Sequence, residues 1–254
     1  MTLPPVLTQV GRFPVIYVPA HPENTFQSNP QPRREGVVAH VMEGTLAGCD
    51  SWFANPGSKS SATAGISKAG EIHQFVQLYG NAPFANGVPN VSKVTSALVK
   101  SLMARHPGVN VNMLTWSIEH EGFAGEQITD YPAMFEASTV LCAALMMDID
   151  PAYRDTYEHA WFDPVNRARC PGWTTATWAA YDGRVQELIG AAEHGPIPPA
   201  EPILTGQPDD WKKIKATLDA AYDAGVAVEQ AVAVMRSAMS EVYAEIRRQL
   251  PNAV

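Results

Sequence analysis

The sequence predicts an α/β (α+β) fold: a central mixed sheet flanked by helices, with a C-terminal helical appendage. Three observations predict it. Short β-branched runs, such as Val37-Val38-Ala39-His40, alternate along the chain with stretches of helical periodicity, and interleaved strands and helices pack as a sheet covered by helices. Residues 132–147 are apolar around most of a helical circumference, which suits a buried helix. A stretch carrying Pro196, Pro198, Pro199, Pro202 and Pro208 separates this part from a last segment of apolar periodicity. The organisation read from these features is a main domain over 1–190, a Pro-rich linker over 191–207 and a helical region over 208–254.

The elements follow in order. Pro14 to Val18 reads as a first strand, and residues 19–35, rich in Pro, Asn, Gln and Arg, as an irregular arm. Val37 to Met42 is a strand. Leu46 to Phe53 is a short helix, stopped by Asn55-Pro56-Gly57. Ser60 to Leu78 reads as a hairpin turning at Lys68-Ala69-Gly70. Val91, Val94, Leu98 and Leu102 recur at helical spacing after Asn90, a suitable N-cap, and His106-Pro107-Gly108 ends that helix. Val109 to Glu121 reads as a central strand. Pro132 to Met147 is a helix with proline in its first turn. Trp178, Tyr181, Val185 and Leu188 form one amphipathic stripe.

Composition narrows the function classes. An apolar content of 46% over 254 residues suffices for a core, and a net charge of −8 argues against a nucleic-acid partner. No apolar run reaches the roughly 18 residues of a membrane span. Cys49, Cys142 and Cys170 are an odd set without framework spacing, so no disulfide scaffold is expected. Cys49 and Cys142 lie on apolar helical stretches and read as small core residues.

His40, His159 and Cys170 are the candidate metal ligands. Two imidazoles and a thiolate suit Zn²⁺, and three protein ligands leave a fourth place for water, as in catalytic sites. Each of the three alone reads more simply as an ordinary strand or loop residue. The flanking segments change that balance. VVAHVMEGTLAGCDSWF (37–53), SSATAGISKAGEIHQFV (60–76), TWSIEHEG (115–122) and HAWFDPVNRARCPG (159–172) together resemble, in the same order, the zinc-dependent N-acetylmuramoyl-L-alanine amidases, the family of peptidoglycan recognition proteins and many phage endolysins.

The resemblance implies zinc on His40, His159 and Cys170, and Glu119 as the catalytic acid and base. It implies peptidoglycan or a muropeptide as substrate, cut between N-acetylmuramic acid and L-alanine. Strand alternation fits this reading: Ser117, Glu119 and Glu121 share one face, and Trp116, Ile118 and His120 the other. Glu121 and Glu43 are the less favoured carboxylates, and His120 reads as a core or supporting histidine. Two positions depart from the family pattern. Ala168 stands where relatives carry a lysine or threonine two residues before the last ligand, so Arg167, with Arg169 as the alternative, is the expected cation. Thr63-Ala64 stands where many relatives have histidine-tyrosine. Asp163-Pro164 reads mainly as a loop-shaping pair. A non-catalytic muropeptide-binding module and a cytoplasmic recycling amidase remain the alternatives.

Beyond the Pro-rich stretch, Trp211, Ile214, Leu218 and Tyr222 form a helical stripe. Val228, Val232, Met235, Met239, Val242 and Ile246 follow at alternating spacings of four and three. This seam is expected either to fold back on the main domain or to bring chains together as a homo-oligomer. MTLPPVLTQV has no basic segment followed by an apolar stretch, so no secretory signal is read there. With the resemblance, this suggests a phage endolysin made in the host cytoplasm that acts on the wall after release.

Overall fold

The structure, a computed structural model, describes residues 3–27, 33–86 and 92–194. Along them run β1 (Gln9–Val10), β2 (Phe13–Tyr17), β3 (Thr25–Gln27), β4 (Gly36–Val41), α1 (Leu46–Ala54), β5 (Ala64–Ile66), β6 (Ile72–Gln74), β7 (Asn81–Pro83), α2 (Ala97–Arg105), α3 (Val111–Leu114), β8 (Trp116–His120), α4 (Pro132–Met147), β9 (Asp155–Glu158), α5 (His159–Phe162) and α6 (Thr175–His194). Seven strands form one mixed sheet in the order β1-β2-β6-β5-β8-β4-β9, and β3 pairs with β7 outside it. The β1–β2 and β5–β6 pairs are antiparallel, and the remaining pairs of the large sheet are parallel. The expected mixed sheet flanked by helices is therefore the observed architecture.

The central strands β4, β5 and β8 are buried on both faces, which is why they read as nearly continuous apolar runs. On one face, α1 packs through Leu46, Cys49 and Phe53 against Phe75 and Val76. Val38 on the same face meets Val99 and Leu102 of α2, Leu114, Tyr157 and Phe162. On the other face α4 lies across β4, β5 and β8. There the Ser138 hydroxyl donates to His120 Nε2 (2.7 Å) and lies 2.9 Å from the Tyr181 hydroxyl. Helix α1 begins where Thr45 Oγ1 accepts from the Gly48 N–H at 3.1 Å, a cap worth about 1 kcal/mol. Cys49 and Cys142 are buried free thiols, as the composition suggests.

The structure corrects four readings. The central strand is shorter than Val109 to Glu121, because α3 occupies its first part: Asn110 Oδ1 caps the Asn112 N–H (3.0 Å), and the buried Arg34 guanidinium holds the Asn112 and Thr115 carbonyls. Helix α2 starts at Ala97 with Ser96 as its N-cap rather than after Asn90, which lies outside the described residues. The arm over 19–35 contributes β3, whose pairing with β7 spans more than fifty residues of sequence and carries no local signal. Helix α6 continues to His194, so residues 191–194 are helical rather than linker.

The chain divides into two compact units, Met1–Gln186 and Glu187–Val254. The rest of the Pro-rich stretch and the C-terminal apolar seam lie outside the described residues. Among the described residues no helix is long and apolar enough to cross a membrane.

Candidate metal centre

Parallel pairing places His40 of β4 beside Glu119 of β8 in direct register, so both side chains leave the same face of the sheet. His159 opens α5 immediately after β9, the strand on the other side of β4. The loop that follows then returns. Asp163 Oδ1 accepts from the Val165 and Asn166 N–H groups (3.3 and 3.1 Å), Arg167 N–H donates to the Asp163 carbonyl (2.9 Å), and Cys170 N–H to that of Arg167 (2.9 Å). Finally Ala160 N–H donates to the Cys170 carbonyl at 2.9 Å, closing the loop and setting Cys170 beside His159. Gly172 completes the exit with φ +77°; a Cβ there would stand 2.8 Å from both the Arg169 carbonyl oxygen and the Gly125 nitrogen.

His40, His159 and Cys170 thus converge, one ligand atom from each lying within 4.8 Å of the others. Cys170 Sγ is 4.0 Å from His40 Nδ1, and the two imidazole centroids are 4.2 Å apart. Ligands of one tetrahedral ion stand about 3.5 Å apart, so a small movement would close this set on a metal. Glu119 Oε1 lies 3.9 Å from His40 Nδ1, while Oε2 is buried without a hydrogen-bond partner.

The electrostatics follow from burial. Burial raises the Glu119 carboxyl to about 8, with Arg167 opposing, and raises the Cys170 thiol to about 12. Burial lowers His40 well below its ordinary value and His159 to about 4. Every group is held neutral, with two potential anions facing two imidazoles free of protons on one nitrogen. A divalent ion would suit this donor set, because it would favour the carboxylate and thiolate forms. Gly65, the register neighbour of Glu119 on β5, sharpens the burial. A Cβ there would meet Phe75, Met42 and Leu46 at 2.8–3.0 Å, so its absence lets that apolar cluster close beside the carboxyl.

The other candidates divide by their contacts. Glu121 Oε2 accepts from the Lys68 N–H at 2.8 Å, which ties it to the hairpin turn. Glu43, at φ 52°, accepts from the Ala124 N–H at 3.1 Å and sits at the rim. Arg167 is exposed, and its charge acts on His40, His159, Cys170 and Glu119. The Arg169 guanidinium instead donates to the Ala124 carbonyl at 3.2 Å. Thr63 exchanges hydrogen bonds with Ser117 (3.0 and 3.1 Å) on the strand below the site. His120 donates to the His40 carbonyl through Nδ1 (2.7 Å) from the opposite face, supporting the strand without reaching the cluster.

Asn86 is the neighbour that the sequence did not single out. It lies fully buried after β7, within bonding distance of both imidazoles. Its only sequence signal is a lone asparagine in a turn-rich stretch, which most loops contain.

Residues 29–173, more than half of the chain, match the N-acetylmuramoyl-L-alanine amidase family, Amidase_2. The chain belongs to this family. The matched segment contains His40, Glu119, His159 and Cys170. N-acetylmuramoyl-L-alanine amidase A of Achromobacter lyticus is 31% identical over 131 residues, which are 51% of this chain and 60% of that protein; the chain thus spans well under the whole of this curated relative. The crystal structure of a selenomethionine derivative of AmpD shares the fold, with a TM-score of 0.51 and 19% identity over 71% of this chain and 98% of that one. A mutant endolysin from Bacillus subtilis superposes with a TM-score of 0.47 and 15% identity, covering 68% and 99%.

Proposed function

We propose that this amidase-family chain is a zinc enzyme that hydrolyses the amide between N-acetylmuramic acid and L-alanine in peptidoglycan. The observation that carries the reading is the meeting of His40, His159 and Cys170 with a buried, half-unpartnered Glu119 carboxyl. A binding module would have no use for a carboxyl desolvated at the metal ligands. The residues that would hold zinc are His40, His159 and Cys170. Bound there, zinc would supply Lewis acidity, which acidifies water and polarises a carbonyl.

The chain's own groups do the rest. Glu119 takes a proton from water as the water oxygen bonds to the amide carbon, and returns it to the nitrogen as the carbon–nitrogen bond breaks. The products are a carboxylate on the muramoyl side and the free amine of L-alanine. Arg167 adds positive potential where the carbonyl oxygen gains charge. The apolar wall of Leu46, Met42 and Phe75 keeps bulk water from Glu119.

The setting we infer is wall lysis by a phage or prophage endolysin, made in the host cytoplasm. Its support is the second compact unit, Glu187–Val254, which lies beyond all the site residues; a recycling amidase would need no such appendage. The enzyme reading is tested by digesting purified sacculi with the full-length protein and identifying the new ends, with chelator and after zinc is restored. New alanine amino termini that vanish with chelator and return with zinc are expected. Cleavage at another bond, or cleavage indifferent to chelation, would overturn it. Equal or better action on soluble muropeptide than on sacculi would remove the lytic setting alone.

A further inference from the structure

Asn86 touches both histidines of the cluster. His40 Nε2 lies 2.8 Å from Asn86 Oδ1, and His159 Nε2 lies 3.3 Å from the Asn86 backbone oxygen. A carbonyl only accepts, so His159 carries its proton on Nε2. For His40 the answer depends on which way the Asn86 amide faces, and the surroundings decide it. The Thr115 hydroxyl spends its proton on the Val111 carbonyl (2.9 Å), so its oxygen is left to accept. The atom of Asn86 facing Thr115, at 2.9 Å, must therefore be the Nδ2 donor. Oδ1 is then turned to His40, whose Nε2 must carry the proton. With the proton on Nε2 in each ring, the lone pair of each neutral imidazole stands on Nδ1.

The support for Asn86 is itself anchored. Its N–H donates to Asn112 Oδ1 at 2.7 Å, and the Ala85 N–H donates to the same oxygen at 3.1 Å. Asn112 Nδ2 donates to Asn110 Oδ1 (3.1 Å), which fixes the Asn112 amide in that orientation. Asn86, Asn112 and Thr115 are all buried, so each of these bonds is made out of water and is costly to leave unmade. The short helix α3 supplies Asn112, and its extended C-cap residue supplies Thr115.

We propose that Asn86 is the positioning residue of the metal centre: its side chain and its backbone together hold both imidazoles in the one tautomer that presents Nδ1 to the ion. This rests on the zinc reading above. A ligand free to take the other tautomer would offer a proton where a lone pair is needed. Hydrogen bonds of this kind from outside the ligand set typically carry about 10–100-fold in metal affinity.

The test uses full-length protein and a colorimetric chelator competing for zinc, with absorption spectra of the cobalt-loaded forms. Asn86→Ala is expected to weaken zinc binding about 10–100-fold and to alter the cobalt bands. Asn86→Asp keeps the acceptor facing His40 and is expected to stay within a few-fold of wild type. Thr115→Val, which removes the acceptor that orients the amide, is expected to weaken binding, and Thr115→Ser to restore it. The Thr115 pair carries the test if Asn86→Ala does not fold. Wild-type affinity in Asn86→Ala or in Thr115→Val overturns the proposal, as does an equal loss in the conservative and disruptive variants. A wild-type protein that binds no zinc overturns the metal reading itself, which separates the two failures.

Discussion

Glu119→Gln should stabilise the metal-free protein, by an amount that grows with pH. The carboxyl is raised from an ordinary 4.5 to about 8, chiefly by burial. Between those values the folded protein holds a proton that the unfolded chain has released, so stability falls as pH rises through this window. Ionising the group in place costs up to about 5 kcal/mol by that shift. The 14% of side-chain surface still open to solvent reduces the cost to roughly 2–5 kcal/mol. That is a large share of the about 5–15 kcal/mol that keeps a domain folded. Glutamine preserves the shape and cannot ionise. Urea unfolding of chelator-stripped protein at several pH values is the assay. The variant and wild type should nearly coincide at pH 5, with the variant ahead by the full amount above pH 8. The lowered His159 acts in the opposite sense, its stabilisation being lost as pH falls from 6.5 towards 4, and it is common to both proteins. Zinc should close the gap, because a cation beside the carboxylate removes the penalty. Curves that stay parallel across the whole range would refute the argument that Glu119 is held neutral by its surroundings.

Glu119→Ala should keep zinc and fold while losing about 10²–10⁴-fold in wall cleavage. Glu121→Ala should lose a bond to Lys68 and some stability but far less activity; the reverse order would transfer the acid to Glu121. Cys170→Ser should lose most of the near-stoichiometric zinc found by elemental analysis in wild type, and unchanged zinc would take Cys170 out of the site. Arg167→Ala should lower kcat more than it raises KM, with Arg169→Ala milder, because the Arg169 guanidinium is engaged by Ala124. Light scattering on the full chain and on a truncation near Gly206 should show self-association lost with the C-terminal seam while cleavage of soluble muropeptide persists. A monomeric full chain would instead mean that those helices fold back.

Much of this protein was legible in the sequence wherever the signal is local. Alternation along TWSIEHEG put Glu119 and His120 on opposite faces, and the structure has one at the ligands and the other against Ser138. Proline in the first turn and sixteen helix-compatible residues marked α4. The Asp-Pro pair shaped the loop that ends in Cys170, through side-chain bonds within three residues. The misreadings have the opposite character. Val109 to Leu114 has strand-like residues, yet buried partners more than twenty-five residues away, Asn86 and Arg34 among them, make its short helix the better arrangement. The β3–β7 pair and the placement of Asn86 beside two imidazoles are likewise invisible along the chain.

The sequence by itself offered the candidate ligand types and the strand face of the candidate acid Glu119, because side-chain chemistry and strand period are properties of neighbouring residues. Tertiary structure alone decided that His40 stands in register with Glu119, that apolar groups close over Gly65 beside it, and that one asparagine lies within bonding distance of two imidazoles. Register, desolvation and hydrogen-bond direction each depend on groups brought together across the sheet, and no window of sequence contains both partners.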